Sequence, residues 1–152
     1  MGWFFSKPKP AASTGRVLNA LDLLNAGATT PAGDAGYAEV NSAWLASYYD
    51  SFRNSLFREG VVKWDARFDC NHFADAYAVL AQLKFFAENF QSRTSAQTLA
   101  IGVAWYRRDV DGGGHAINCA LTERGTVYIE PQTGTQVTLS PSEIASRFFV
   151  RF

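Results

Sequence analysis

Residues 69–90 read DCNHFADAYAVLAQLKFFAENF, and this stretch decides the fold. Phe73, Tyr77, Leu80 and Lys84 recur at steps of three and four. Ala76, Leu83 and Phe86 widen the apolar surface. That spacing predicts a long, largely buried helix, with Asp69 as its N-cap. A cysteine, Cys70, then stands at the first helical position, where unpaired N–H groups and the helix dipole favour a thiolate.

Upstream, the spacing of Val17, Leu21 and Leu24 predicts a helix over 16–25, stopped by Gly27. Residues 26–36, AGATTPAGDAG, read as a loop. Trp44, Leu45, Tyr48, Phe52 and Leu56 predict a second helix over 37–59, and their aromatic stripe reads as core. Trp64 and Phe68 lie in the short connection to Cys70.

Downstream the period changes to two. Leu99, Ile101, Val103 and Trp105 alternate with small residues and predict a strand. Gly112-Gly113-Gly114 interrupts it; His115, Ile117, Cys119 and Leu121 then alternate again. Glu123-Arg124-Gly125 reads as a turn, and Val127-Tyr128-Ile129 as the next strand. A short helix from Pro141 and a last strand over 148–152 complete the order. Helices first and an antiparallel sheet second define an α+β domain. Residues 1–15 read as a flexible arm and 16–152 as one domain. Met1-Gly2 with Ser6 fits an N-myristoylation pattern.

Composition narrows the function classes. Fourteen basic residues balance fourteen acidic ones, which gives no footprint for nucleic acid. No apolar run approaches the ~18–20 residues of a membrane-spanning helix. Trp3-Phe4-Phe5 is too short for a secretory signal. Two cysteines do not make a disulfide scaffold, so a cytoplasmic location is expected. For a phage-encoded chain that becomes the host cytoplasm or the virion. Twelve Phe, six Tyr and four Trp supply a sizeable core.

Thiol chemistry needs a base and a group that orients it. His72 follows Cys70 by two residues and points to another side of the helix. His115, after three glycines at a strand mouth, is the candidate base. Glu130 is the only carboxylate on the next strand, roughly opposite His115 across the hairpin, and is the candidate orienter. Asn118 has the opposite strand parity. Cys119 shares the parity of His115 and reads as core.

The order Cys70, His115, Glu130 resembles the papain-like superfamily of cysteine hydrolases, with transglutaminase-like hydrolases included. The blocks that carry the resemblance are Asp69–Ala74, Gly114–Asn118 and Tyr128–Gly134. It resembles most the papain-like C-terminal domain of the mushroom agglutinin family, which also occurs in bacterial and phage proteins. That resemblance implies a papain-like α+β fold, with N-terminal helices packed on a small antiparallel sheet. It implies Cys70 as nucleophile, His115 as base and Glu130 as orienter of a cysteine hydrolase (a peptidase or amidase) or acyltransferase acting through an acyl-enzyme on an amide, peptide or ester bond, with a peptide or protein as substrate. Trp64, Asp69 and Gln132 are candidates for oxyanion contact or cleft lining, since the papain-type Gln before the nucleophile is missing. The chemistry requires no cofactor; the resemblance admits calcium, with Asp109 and Asp111 as candidate ligands. The alternative function is a non-catalytic module on the same fold that binds a peptide, a small ligand or a protein partner in the former cleft.

Overall fold

Among the described residues, eight strands and four helices follow one another as β1 (Ser13–Leu18), α1 (Ala20–Asn25), β2 (Tyr37–Val40), α2 (Ser42–Arg58), α3 (Cys70–Asn89), β3 (Thr98–Leu99), β4 (Ile101–Arg107), β5 (Gly114–Thr122), β6 (Gly125–Glu130), β7 (Thr135–Val137), α4 (Pro141–Ala145) and β8 (Phe149–Arg151). The structure is a computed structural model that describes residues 9–30, 32–92 and 94–152. The acylation pattern at the N-terminus lies outside the described residues.

The helix over 70–89 forms because its apolar residues return every turn. Phe73, Tyr77, Ala81 and Phe85 are its buried stripe. Trp44, Leu45, Tyr48, Phe52 and Leu56 are buried on α2. The two stripes meet edge to face. Tyr77 lies 4.8 Å from Tyr48 and 4.9 Å from Phe52, both T-shaped, the geometry that ring quadrupoles favour. The Tyr48 hydroxyl donates to the Tyr77 carbonyl at 3.1 Å.

The sheet is larger and more mixed than the expected small antiparallel one. Its order is β1-β2-β5-β4-β8, with β6 and β7 continuing from β5 and β3 beside β2. The β4–β5–β6–β7 ladder is antiparallel. By contrast, β2 runs parallel to β3 and β5. Two cores result. The larger lies between the sheet and α2–α3. The smaller, on the opposite face, gathers Ala104, Tyr106, Ile117, Cys119, Leu139 and Val150.

Two expectations at the N-terminal end are corrected. Ser13–Leu18 is a strand, and the helix starts only at Ala20, capped by the Asn19 side chain on the Leu21 and Asp22 N–H groups. Leu21 and Leu24 of the expected helical stripe are exposed, while Leu18 and Leu23 are buried. Tyr37–Val40 is likewise a strand; Asn41 then caps α2.

Asn118 ties the helical layer to the sheet. Its side chain is buried, and its Nδ2 donates to the Ala74 carbonyl of α3 at 2.8 Å and to the Gly102 carbonyl of β4 at 2.9 Å. Asn118→Ala removes both bonds and leaves a void. We expect it to lower stability by about 2 kcal/mol, read as a lower urea midpoint at unchanged slope.

Candidate functional site

Asp69, in extended conformation, precedes α3 at its N-cap. Its Oδ1 lies 2.8 Å from His72 Nδ1, and the His72 ring stacks on Phe68 at 5.5 Å. Both partners hold His72 on the outer side of the helix start. Cys70 itself is half-buried and packs against Ala74, Val103 and Ala116.

His115 opens β5. Its Nε2 lies 2.7 Å from Glu130 Oε2, with both side chains mostly buried. A carboxylate accepts, so Nε2 is the donor of this bond. Glu130 Oε1 accepts from the Gln132 N–H at 3.1 Å, which fixes the carboxylate. The Tyr106 ring meets His115 edge-on at 5.9 Å. Burial first, then the carboxylates of Glu143 and Glu130, push the Tyr106 hydroxyl above its ordinary range.

The pleat decides which groups face which way. Ala116 and Asn118 contact α3, whereas Ile117 and Cys119 belong to the smaller core on the other face. His115 has the parity of Ile117 and meets Tyr106 of that same core. Glu130 also takes this parity, because Asn118 pairs with Ile129. The structure thus joins His115 to Glu130, and packs Cys70 against the opposite face. No hydrogen bond links Cys70 to either among the described residues. The register places Glu130 opposite residue 117, so β6 has ended before the level of His115 and leaves that side of the ring unflanked by a strand.

Beside this arrangement lies a groove of about 490 Å³. Phe52, Arg53, Leu56 and Phe57 of α2 form one wall, Val61–Trp64 and Phe73 a second, and Pro131-Gln132-Thr133 a third. Trp64 is 54% exposed there. The Arg53 guanidinium stacks over Phe57 at 4.8 Å. The third wall is held by the Tyr49 hydroxyl, which donates to the Gln132 carbonyl at 2.7 Å. Trp64 and Gln132, singled out in the sequence, both line this groove; Asp69 does not. Sequence reasoning missed Arg53, Phe57 and Tyr49. Tyr49 adjoins the aromatic stripe of α2 without belonging to it, and Arg53 and Phe57 are one turn apart, which was the available signal.

The Asp109 and Asp111 carboxylates are engaged separately. Asp109 accepts from the Ser140 hydroxyl at 2.5 Å and the Ser142 hydroxyl at 2.7 Å, which hold it below its ordinary range. Asp111 pairs with Arg108 at 2.6 Å and accepts from the Gly113 N–H. Among the described residues, no three His, Cys, Asp or Glu side chains gather as a metal-binding group. No described helix is long and apolar enough to cross a membrane.

No family model matches the chain. No curated protein matches it either. Solved structures do. A lectin from Polyporus squamosus, bound to the human-type influenza-binding epitope Neu5Acα2-6Galβ1-4GlcNAc, aligns with a TM-score of 0.65 at 17% identity, over 90% of this chain and 49% of the lectin chain. PSL1a in complex with E-64 aligns with a TM-score of 0.58 at 18% identity, over 90% of this chain and 50% of that one. The chain therefore shares an α+β fold with the Polyporus squamosus lectin, and it spans about half the length of these solved chains.

This finding corrects the wider resemblance read from the motifs. The first neighbour is described as a lectin, not as a thiol protease or a transglutaminase, and it comes from Polyporus squamosus, not from a phage or a bacterium. The fold match carries neither a protease nor a transglutaminase assignment.

Proposed function

We propose that this chain is a binding module whose groove takes a carboxylate-bearing ligand, presented on a peptide or on a sugar. The groove supports this reading: exposed Trp64 and Phe57 offer stacking surface, while Arg53 and Lys63 offer positive charge beside it. An aromatic floor with a cationic rim suits a ligand that is flat or apolar at one end and anionic at the other. The sialylated epitope on the lectin neighbour supplies the sugar arm of the test.

Titration by tryptophan fluorescence and calorimetry, with acidic hexapeptides in one series and Neu5Acα2-6Galβ1-4GlcNAc in the other, separates the two. Binding in either series, weakened at least about 10-fold by Trp64→Ala and by Arg53→Ala, supports the reading. Failure of both series at millimolar concentration removes it.

A second reading, acyl chemistry at Cys70 on an amide or ester, is supported by the His115–Glu130 bond and by a ligand, E-64, on the second neighbour. It requires the thiol to reach His115 Nδ1 past the open end of β6. Iodoacetamide labelling of Cys70 that slows below pH 8 in His115→Ala, with the midpoint of its pH–rate profile moved up toward that of an ordinary thiol, supports that geometry. Equal profiles in the two proteins exclude it.

A further inference from the structure

The turn that follows β6 is organised around Glu130. Pro131 has no N–H. The next three N–H groups all return to Glu130. That of Gln132 donates to Oε1 at 3.1 Å, and those of Thr133 and Gly134 donate to the Glu130 carbonyl at 3.2 and 2.7 Å. Oε2 is left for His115 Nε2 at 2.7 Å. A glutamate side chain is long and free to rotate, so its carboxylate aims a ring only when its second oxygen is held as well. Here the holder is a surface turn with Thr133 exposed, which needs a support of its own.

Helix α2 supplies that support at two points. The Tyr49 hydroxyl donates to the Gln132 carbonyl at 2.7 Å. Gln132 is thus gripped from both ends, its carbonyl by Tyr49 and its N–H by Glu130. The Tyr49 ring also lies against Gly134, where an added Cβ would fall among the ring atoms. Gly134 has φ +74°, so conformation and space both demand glycine there.

We infer that Tyr49 is a positioning residue for the His115–Glu130 pair. It pins the turn to α2, and the turn aims the carboxylate at the imidazole. The relay runs from the Tyr49 hydroxyl through the Gln132 backbone and the Glu130 carboxylate to His115. Because Gln132 is also part of the third wall of the groove, groove and imidazole share one support. The inference stands apart from both readings of function, since it concerns how the ring is held and not what it acts on.

Exchange of the His115 Nε2 proton with water, followed by NMR on the full chain, tests it. The chain has two histidines, and His72, held by Asp69 instead, is the internal reference. Tyr49→Phe keeps the ring on Gly134 and removes only the hydroxyl. It is expected to speed exchange at His115 about 5-fold, the size of one ordinary hydrogen bond, and to leave His72 unmoved. Tyr48→Phe is the matched control. It too deletes a hydroxyl bond from α2 to a backbone carbonyl, that of Tyr77, but on a path that does not lead to Glu130. Exchange at His115 is expected to stay within about 2-fold of the wild type there. Gly134→Ala, which drives a methyl group into the Tyr49 ring, is expected to speed exchange at least about 10-fold. Gly125→Ala, at φ +99° with open space around it, is expected to leave it within about 2-fold. Circular dichroism checks that each variant folds, and the two tyrosine variants decide the matter if Gly134→Ala does not. An unchanged rate in Tyr49→Phe overturns the inference. So does an equal rise in Tyr48→Phe, which would mark a general loosening of α2. A wild-type proton that exchanges too fast to observe overturns it as well, because the pair would then not be held.

Discussion

Iodoacetamide at pH 8 is expected to place one adduct on each native chain, at Cys70, with Cys119 reacting at least about 1,000-fold more slowly. The difference comes from where the fold puts the two sulfurs. Cys70 is half-buried at the start of α3. Cys119 is in the middle of β5, enclosed by Ile117, Leu139 and Val150. Burial pushes its thiol up to about 12, against small opposing effects from the Arg147 charge and backbone N–H groups. Only about one Cys119 in 10⁴ is then a thiolate at pH 8. Peptide mapping of the labelled protein reads the ratio directly; substantial native labelling at Cys119 would show that β5 opens on the labelling timescale.

The same burial makes stability depend on alkaline pH. An unfolded chain releases the Cys119 proton near pH 8.5, whereas the folded chain holds it to about 12. Between those values the folded state binds more protons, so stability falls as pH rises. The contribution is fully present below about pH 8.5 and lost progressively up to about pH 12, amounting to about 5 kcal/mol. Tyr48 and Tyr77, whose hydroxyls burial also raises, add to the loss above about pH 10. Urea unfolding at pH 8 and pH 10.5 is expected to show a drop of about 3 kcal/mol from Cys119 alone. An unchanged midpoint would contradict the buried position of this thiol.

How much of this was legible in the sequence follows from how local each determinant is. The α3 helix was legible because a helical period runs from Phe73 through Tyr77 and Ala81 to Phe85, all buried, whereas Leu83 and Phe86, expected to widen that buried surface, are exposed. The β5–β6 hairpin was legible because Gly125, at φ +99°, supplies the turn that Glu123-Arg124-Gly125 announces. The first strand was not. Only Leu18 of Ser13–Leu18 is fully buried, so an edge strand left no alternation to read. Tyr37–Val40 was absorbed into the following helix because all four residues are buried, and a short, doubly covered strand has no period. Asn41, accepting from the Ala43 and Trp44 N–H groups, was the boundary signal that the apolar spacing overrode.

Among the candidate site residues, sequence order alone could align Cys70, His115 and Glu130 along the chain. It could not say which face of the sheet each occupies. A strand's parity is visible in a sequence, but the side on which a helix packs is not. The thiol–imidazole relation turns on that second fact, which Asn118 reveals by reaching the Ala74 carbonyl of α3 from the position three residues after His115.

Gly102→Ala is expected to cost at least about 3 kcal/mol, or to prevent β8 from docking at all. The position is the second residue of β4, between β5 and the C-terminal strand. Its φ is ordinary, so backbone conformation does not demand glycine here; close approach does. An added Cβ would overlap the Arg151 carbonyl and crowd the Phe152 Cα. Both are backbone atoms at the end of β8, the Arg151 carbonyl within it and the Phe152 Cα just after it, and β8 is held elsewhere, because Val150 exchanges hydrogen bonds with Thr29 through its N–H at 2.7 Å and its carbonyl at 2.9 Å. Relief therefore requires β8 to leave β4, which exposes Val150 from the smaller core. It also moves the Gly102 carbonyl that Asn118 grips, so the disturbance reaches α3 and Cys70. Gly114→Ala provides the contrast, since nothing lies within 4 Å of a Cβ there. Thermal unfolding and limited proteolysis distinguish the two. Gly102→Ala should lose at least about 10 °C and become cleavable after Phe148, while Gly114→Ala should stay within about 2 °C of the wild type. A Gly102→Ala protein of unchanged melting temperature would mean that β8 can shift outward without cost, and that the smaller core does not depend on the C-terminal strand.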